Sequence, residues 1–88
     1  MKLKYNFITR DVAGQKVALA LGEDNKKFNG IIKLNSVGEF IFKLLENEIT
    51  YDEIMDKITE KYDVSKEDAE SSVQAFIDVL RKNDAITD

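Results

Sequence analysis

The sequence predicts an α+β domain spanning residues 1–88, with an N-terminal three-stranded antiparallel sheet followed by a three-helix bundle. Two observations carry that prediction. Up to residue 34 the apolar side chains recur at every second position, as on half-buried strands, and from residue 36 onward they recur at the i, i+4, i+7 spacing of amphipathic helices. The period changes at Asn35-Ser36. Either side chain can accept the unpaired amide hydrogens of a first helical turn, and Ser36-x-x-Glu39 has the form of a reciprocal capping box.

The first strand is predicted over 3–8, where Leu3, Tyr5 and Phe7 alternate with Lys4 and Asn6. The alternation breaks over 9–14, and Asp11-Val12-Ala13-Gly14 supplies the turn of a hairpin. The second strand spans 15–21. It sets Val17, Leu19 and Leu21 against Lys16, Ala18 and Ala20, which points Val17 and Leu19 at the core. A polar turn over 22–27 leads into a third strand, 28–34, with Phe28, Ile32 and Leu34 on the core face and Asn29, Ile31 and Lys33 opposite. Three strands with one apolar face are about the minimum for a stable small sheet.

The first helix is predicted over 36–46. Val37, Ile41, Leu44 and Leu45 form its stripe, and Phe40 and Phe42 lie off it, so most of the circumference is apolar and the helix belongs inside. Asn47 is placed to take a left-handed conformation after its end. The second helix, 51–62, opens on the capping box Thr50-x-x-Glu53, with Ile49 and Ile54 at the staple positions, and carries a stripe of Ile54, Met55, Ile58 and Tyr62. Ser65 caps the third helix, 66–83, whose stripe is Ala69, Val73, Phe76 and Leu80, with Ile77 on one flank. Arg81 and Lys82 complement the negative end of its dipole. Ala85-Ile86 is expected to fold back on the core. With a tight turn at Tyr62-Asp63-Val64 between the last two helices, the order of elements resembles a winged helix-turn-helix.

Composition narrows the function. An 88-residue chain can bury roughly 60 to 65% of its unfolded surface in one modest core. Its 43% apolar and 34% charged residues are those of a globular domain. No run approaches the roughly 18 apolar residues of a membrane span, and the first residues lack the apolar core of a secretory signal, so a cytoplasmic location is expected. The absence of Cys and His removes disulfides, zinc-finger spacing, thiol nucleophiles and the imidazole base. A net charge of −4 opposes the phosphate backbone of nucleic acids.

The carboxylates that remain do not form a catalytic pattern. Asp52 and Asp56 share the solvent face opposite Ile54 and Ile58, with no apolar pocket around them. Gly22-Glu23-Asp24-Asn25 is too short for a calcium loop. No enzyme activity, metal or cofactor is expected. Two other readings come from different classes. Asn35-Ser36-Val37 loosely resembles the phosphopantetheine site of small acidic carrier proteins, although those are helical bundles and capping accounts for Ser36. A winged-helix DNA-binding regulator would read DNA with the third helix, but Lys66-Glu67-Asp68-Ala69-Glu70 puts three carboxylates where base and phosphate contacts are made.

The third strand holds more functional content. Ile31 is an apolar side chain on the face away from the core, and if the strand is an edge, its unpaired amides and carbonyls are a template for another strand. The pattern alone fits an ordinary hairpin partner equally well. On the third helix, Ser72, Ala75 and Val79 make a small-to-apolar flank beside the core stripe, suited to a peptide side chain or to another helix.

The run Leu34-Asn35-x5-Ile41-Phe42-x-Leu44-Leu45-Glu46-Asn47, then Ile49-Thr50-Tyr51-x-Glu53-Ile54, Tyr62-Asp63-Val64, Phe76, Leu80 and Ile86, resembles the PqqD family of peptide chaperones, also called precursor-peptide recognition elements. The resemblance covers nearly the whole chain and is closest over 34–80. Asn47 and Asp84 stand where the family usually has Gly; both residue types tolerate a left-handed backbone. The resemblance implies a non-enzymatic module that captures the leader of a ribosomally made precursor peptide and presents it to a modifying enzyme, often a radical SAM maturase. It further implies that the leader adds as a strand beside the third strand, pairing with the backbone of Gly30, Ile31, Ile32, Lys33 and Leu34. Ser72, Ala75, Phe76 and Val79 would then line the groove against the third helix. A homodimer, which would satisfy the same edge, is compatible with this reading.

Overall fold

A two-residue turn sets the register of the N-terminal sheet. In the computed structural model, which describes residues 1–22, 24 and 30–87, strand β1 (Lys2–Leu3) is followed by β2 (Phe7–Val12) and β3 (Gln15–Ala20), and Val12 pairs with Gln15 across Ala13-Gly14. Ala13 and Gly14 both have positive φ, 52° and 83°, as a type I′ turn requires. The third antiparallel strand, β4 (Ile31–Leu34), pairs among the described residues with β3 alone, giving the sheet order β2-β3-β4.

The helices follow as α1 (Ser36–Leu44), α2 (Tyr51–Lys61) and α3 (Lys66–Lys82), and a short β5 (Ile86–Thr87) returns to pair with β1. This is the α+β arrangement of three antiparallel strands and three helices that the two periods predict. The core is centred on Ile41, Leu45, Ile54, Ile58, Val73, Ile77 and Leu80, all essentially without solvent contact. No helix among the described residues is long and apolar enough to cross a membrane.

Four local expectations are corrected. The strand expected over 3–8 is two strands, because Leu3 finds its partner in Ile86 at the other end of the chain while Phe7 begins the hairpin. The stretch 9–12 continues β2; its residues are exposed on a sheet edge, where little burial enforces a visible alternation. The cap of α1 is Asn35, whose side-chain oxygen accepts from the Gly38 amide at 2.7 Å, so Ser36 is the first helical residue and the Ser36-Glu39 box is not formed. Asn47 does not take a left-handed backbone; α1 ends at Leu45 with φ −77°.

The second strand faces the opposite way from its expected side. Ala18 pairs with Ile32 and Lys16 with Leu34, and cross-strand partners share a face. Because Ile32 and Leu34 are buried, Ala18 and Ala20 go inward with them, and Val17 and Leu19 lie on the other face of the sheet, where Val17 is nonetheless buried at 5% exposure and Leu19 is half-buried. Phe7, paired with Ala20, joins the inner side and meets Phe42 edge-on at 5.3 Å. That contact explains why Phe42, off the helical stripe, is buried. Phe28 and Asn29, the expected start of the third strand, and most of the 22–27 turn lie outside the described residues.

The helix ends otherwise follow their caps. Thr50 and Glu53 make the reciprocal box, with the Glu53 amide donating to Thr50 Oγ1 at 3.1 Å and the Thr50 amide to Glu53 Oε1 at 3.0 Å. Ser65 Oγ accepts from the Asp68 amide. After α3, Asp84 takes φ 56°, the Ala85 amide donates to the Leu80 carbonyl and the Asp84 amide to that of Arg81, which is a Schellman ending with Asp in the usual glycine place. Lys16 ties the hairpin to α1 through Asp11 and Glu39, each at 3.4 Å, and these contacts hold its ammonium pKa above the ordinary lysine value.

Candidate functional site: the open edge of β4 and the groove beside α3

Hairpin parity determines what β4 offers at its edge. In a two-residue hairpin the closing pair, Val12 and Gln15, exchanges both backbone hydrogen bonds, so alternate residues of β3 from Gln15 onward bond to β2. The Leu21 amide, donating to the Asn6 carbonyl at 2.7 Å, keeps that parity. Lys16 and Ala18 therefore bond toward β4, to Leu34 and Ile32. The amides and carbonyls of Ile31 and Lys33 are left facing outward from the sheet.

The five strand residues proposed for peptide pairing thus divide by role. Ile32 and Leu34 have side chains in the core and backbone bonded to β3. Ile31 and Lys33 present both their backbone polar groups and exposed side chains, and Gly30 lies exposed just before them. Among the described residues no strand pairs with this edge.

Where β4 ends, an open groove of about 440 Å³ runs between the start of α1 and the middle of α3. Ser72, Ala75, Phe76 and Val79 line it together. Its opposite wall comes from Asn35, Val37 and Gly38, with Ser71 at one end, and these four the sequence reasoning missed. The helix-starting Asn35 immediately after an edge strand was the available signal. Gly38 has a physical reason to be glycine, since a Cβ there would lie 3.0 Å from Phe76 Cε1 and 3.1 Å from Asn35 Oδ1. The ring of Phe76, half-buried, is thereby laid against the backbone of α1 and forms the floor between the walls.

None of the groove residues is titratable, so its chemistry is that of shape, apolar contact and backbone hydrogen bonding. Asp52, Glu53, Asp56 and Glu60 are all exposed on α2, away from the groove lining. Among the described residues no cluster of acidic side chains is arranged to hold a metal ion. The first turn of α3 carries Glu67 and Asp68, which puts negative charge where a DNA-reading helix would meet phosphate.

The sequence profile described as coenzyme PQQ synthesis protein D (PqqD) matches residues 15–86. Comparison with curated proteins gives no match. Among solved structures, TbiB1 in complex with the TbiA(beta) leader peptide has the same fold, with a TM-score of 0.73 over 100% of both chains at 24% identity.

Proposed function

The chain belongs to the PqqD family, and from that premise we propose that it is a non-catalytic chaperone that captures the leader of a ribosomally made precursor peptide. The leader adds as a strand to β4, and the chain presents it in the cytoplasm to a modifying enzyme such as a radical SAM maturase. The observation that carries this reading is the coincidence of an unpaired strand edge with an uncharged groove at its end. The solved TbiB1 structure, which holds a leader peptide on the same fold, supports it.

Strand addition sets which part of the leader is read. Leader residues opposite Ile31 and Lys33 exchange backbone hydrogen bonds and turn their side chains to the outer face of the sheet. The residue between them, opposite Ile32, points to the inner side, toward the groove lined by Ser72, Ala75, Phe76 and Val79. Backbone pairing gives sequence-tolerant affinity and the groove gives selectivity for an apolar side chain.

The magnitudes point to modest affinity. Up to four backbone hydrogen bonds, each worth about 0.5 to 1.5 kcal/mol net, contribute about 2 to 6 kcal/mol. Apolar burial adds about 25 cal/mol per Å², and ordering a short peptide offsets much of the sum. A dissociation constant on the order of micromolar is expected. The test is titration with the leader of a candidate precursor peptide from the same organism, followed by backbone amide shifts. Ile31, Lys33 and the groove residues of α3 should move most. Shifts confined to α2 or the β2-β3 turn would reject the mechanism.

A further inference from the structure

The outer face of the β2-β3-β4 sheet is more apolar than a solvated face should be. An antiparallel sheet with one wet face normally turns its polar residues outward. Here β3 turns Ala18 and Ala20 inward and carries Val17 and Leu19 on the outer side, Val17 buried at 5% exposure and Leu19 half-buried. Register lines up Ile8, Leu19 and Ile31 in one row across the three strands, and Arg10, Val17 and Lys33 in the next. Of the five large apolar side chains exposed among the described residues, three belong to this face: Val12 at 55%, Leu21 at 45% and Ile31 at 63%. Leu21 and Ile31 flank the half-buried Leu19 at one end of the face and Val12 stands at the other; grouped exposed apolar residues mark an interaction surface.

We infer that this outer sheet face is a docking surface for a second protein whose contact patch is apolar and sets carboxylates against Arg10 and Lys33. Charge selects that occupant over another copy of the chain. Among the described residues the face carries two cations and no carboxylate, while the chain as a whole is at −4, so stacking two such faces brings like charges together. The charge partners of Lys16, Asp11 and Glu39, are on the inner side or on α1 and do not neutralise this face. Area points the same way. Two strands of six residues and one of four, about 4.8 Å apart, cover on the order of 250 Å², well under the roughly 800 Å² per partner of a stable complex. A transient partner fits such a face, and Ile31 makes it continuous with the edge where a leader would add its own outward side chains.

The inference rests on the proposed function only for the choice of probe, a peptide-modifying enzyme of the radical SAM maturase class from the same organism. Binding of that purified enzyme and of the leader peptide is measured separately for the unaltered chain, Arg10→Glu and Val12→Glu. Both substitutions are at exposed positions on β2, two strands from the β4 edge. Each is expected to weaken enzyme binding at least tenfold, to lessen its dependence on salt for Arg10→Glu, and to leave leader affinity within twofold. If a variant unfolds on heating well below the unaltered chain, Leu21→Gln at the opposite end of the face takes its place. Enzyme binding that is absent, or unchanged by these substitutions, overturns the inference, as does a homodimer that Val12→Glu dissociates. Loss of leader binding in the unaltered chain would instead reject the proposed function and leave the enzyme measurement to decide this one.

Discussion

Single residues hold the backbone at its tightest points. Ala13 adopts a left-handed φ of 52° that costs an L-residue with a Cβ roughly 1 to 2 kcal/mol, whereas Asn tolerates it and Asn-Gly is the preferred pair for this turn. Ala13→Asn is therefore expected to stabilise the chain by about 0.5 to 1 kcal/mol, seen as a rise of roughly 2 to 8 °C in Tm; no rise would mean that the turn is not strained. Gly38 is the opposite case, a position where a side chain has no room. Gly38→Ala gains about 1 kcal/mol of helix propensity but overpacks Phe76 at a cost of about 1 to 3 kcal/mol. The expected result is a small loss of stability with a clear loss of leader affinity, because the displaced ring narrows the groove. Unchanged affinity would remove Phe76 from the groove floor.

Among the elements, α2 and β4 make separate predictions. Glu53 accepts from the backbone amide and then the hydroxyl of Thr50, and these bonds hold its carboxyl below the ordinary glutamate value. A group with a depressed pKa in the folded state stabilises the fold above its unfolded pKa, and the contribution is lost as pH falls through the folded value. The stability difference between the unaltered chain and Glu53→Gln should thus be constant near neutrality and shrink below about pH 4.5, which urea midpoints across pH will show. A difference that does not shrink would mean that the carboxylate does no capping. For β4, Lys33→Pro removes an amide that faces the open edge and spares the ladder to β3, as edge strands allow. Leader affinity should fall about 3- to 10-fold, the worth of one backbone hydrogen bond. Val79→Glu, at an exposed groove position, should reduce it roughly tenfold by setting a charge against an apolar side chain. Either variant binding the leader normally would count against strand addition at this edge.

At the scale of the whole molecule, the pairing of β1 with β5 closes the fold. Lys2 and Thr87 are 85 positions apart yet share a hydrogen bond, the Lys4 amide donates to the Ala85 carbonyl, and the Leu3 amide donates to that of Leu45. Ile86 is buried where these meet, so Ile86→Ala is expected to cost about 2 to 5 kcal/mol. For a chain of this size, with about 4 to 13 kcal/mol in total, that is a large fraction of stability. Equilibrium unfolding in denaturant measures it directly, and a loss under 1 kcal/mol would show the closure to be peripheral.

The sequence by itself determined the α+β class, the three helices with their ends to within two residues, and the caps at Thr50 and Ser65. It also placed Ser72, Ala75 and Val79 together on one flank of α3. These features are written in contacts three or four positions apart, which one stretch of chain contains in full. Only the tertiary structure decided the β1-β5 pairing, the inward face of β3, and which amides of β4 remain free. A strand reads the same in either parity, and its face is set by the partner it pairs with. The larger side chains of β3 suggested one face, and the buried Ile32 and Leu34 across the ladder fixed the other.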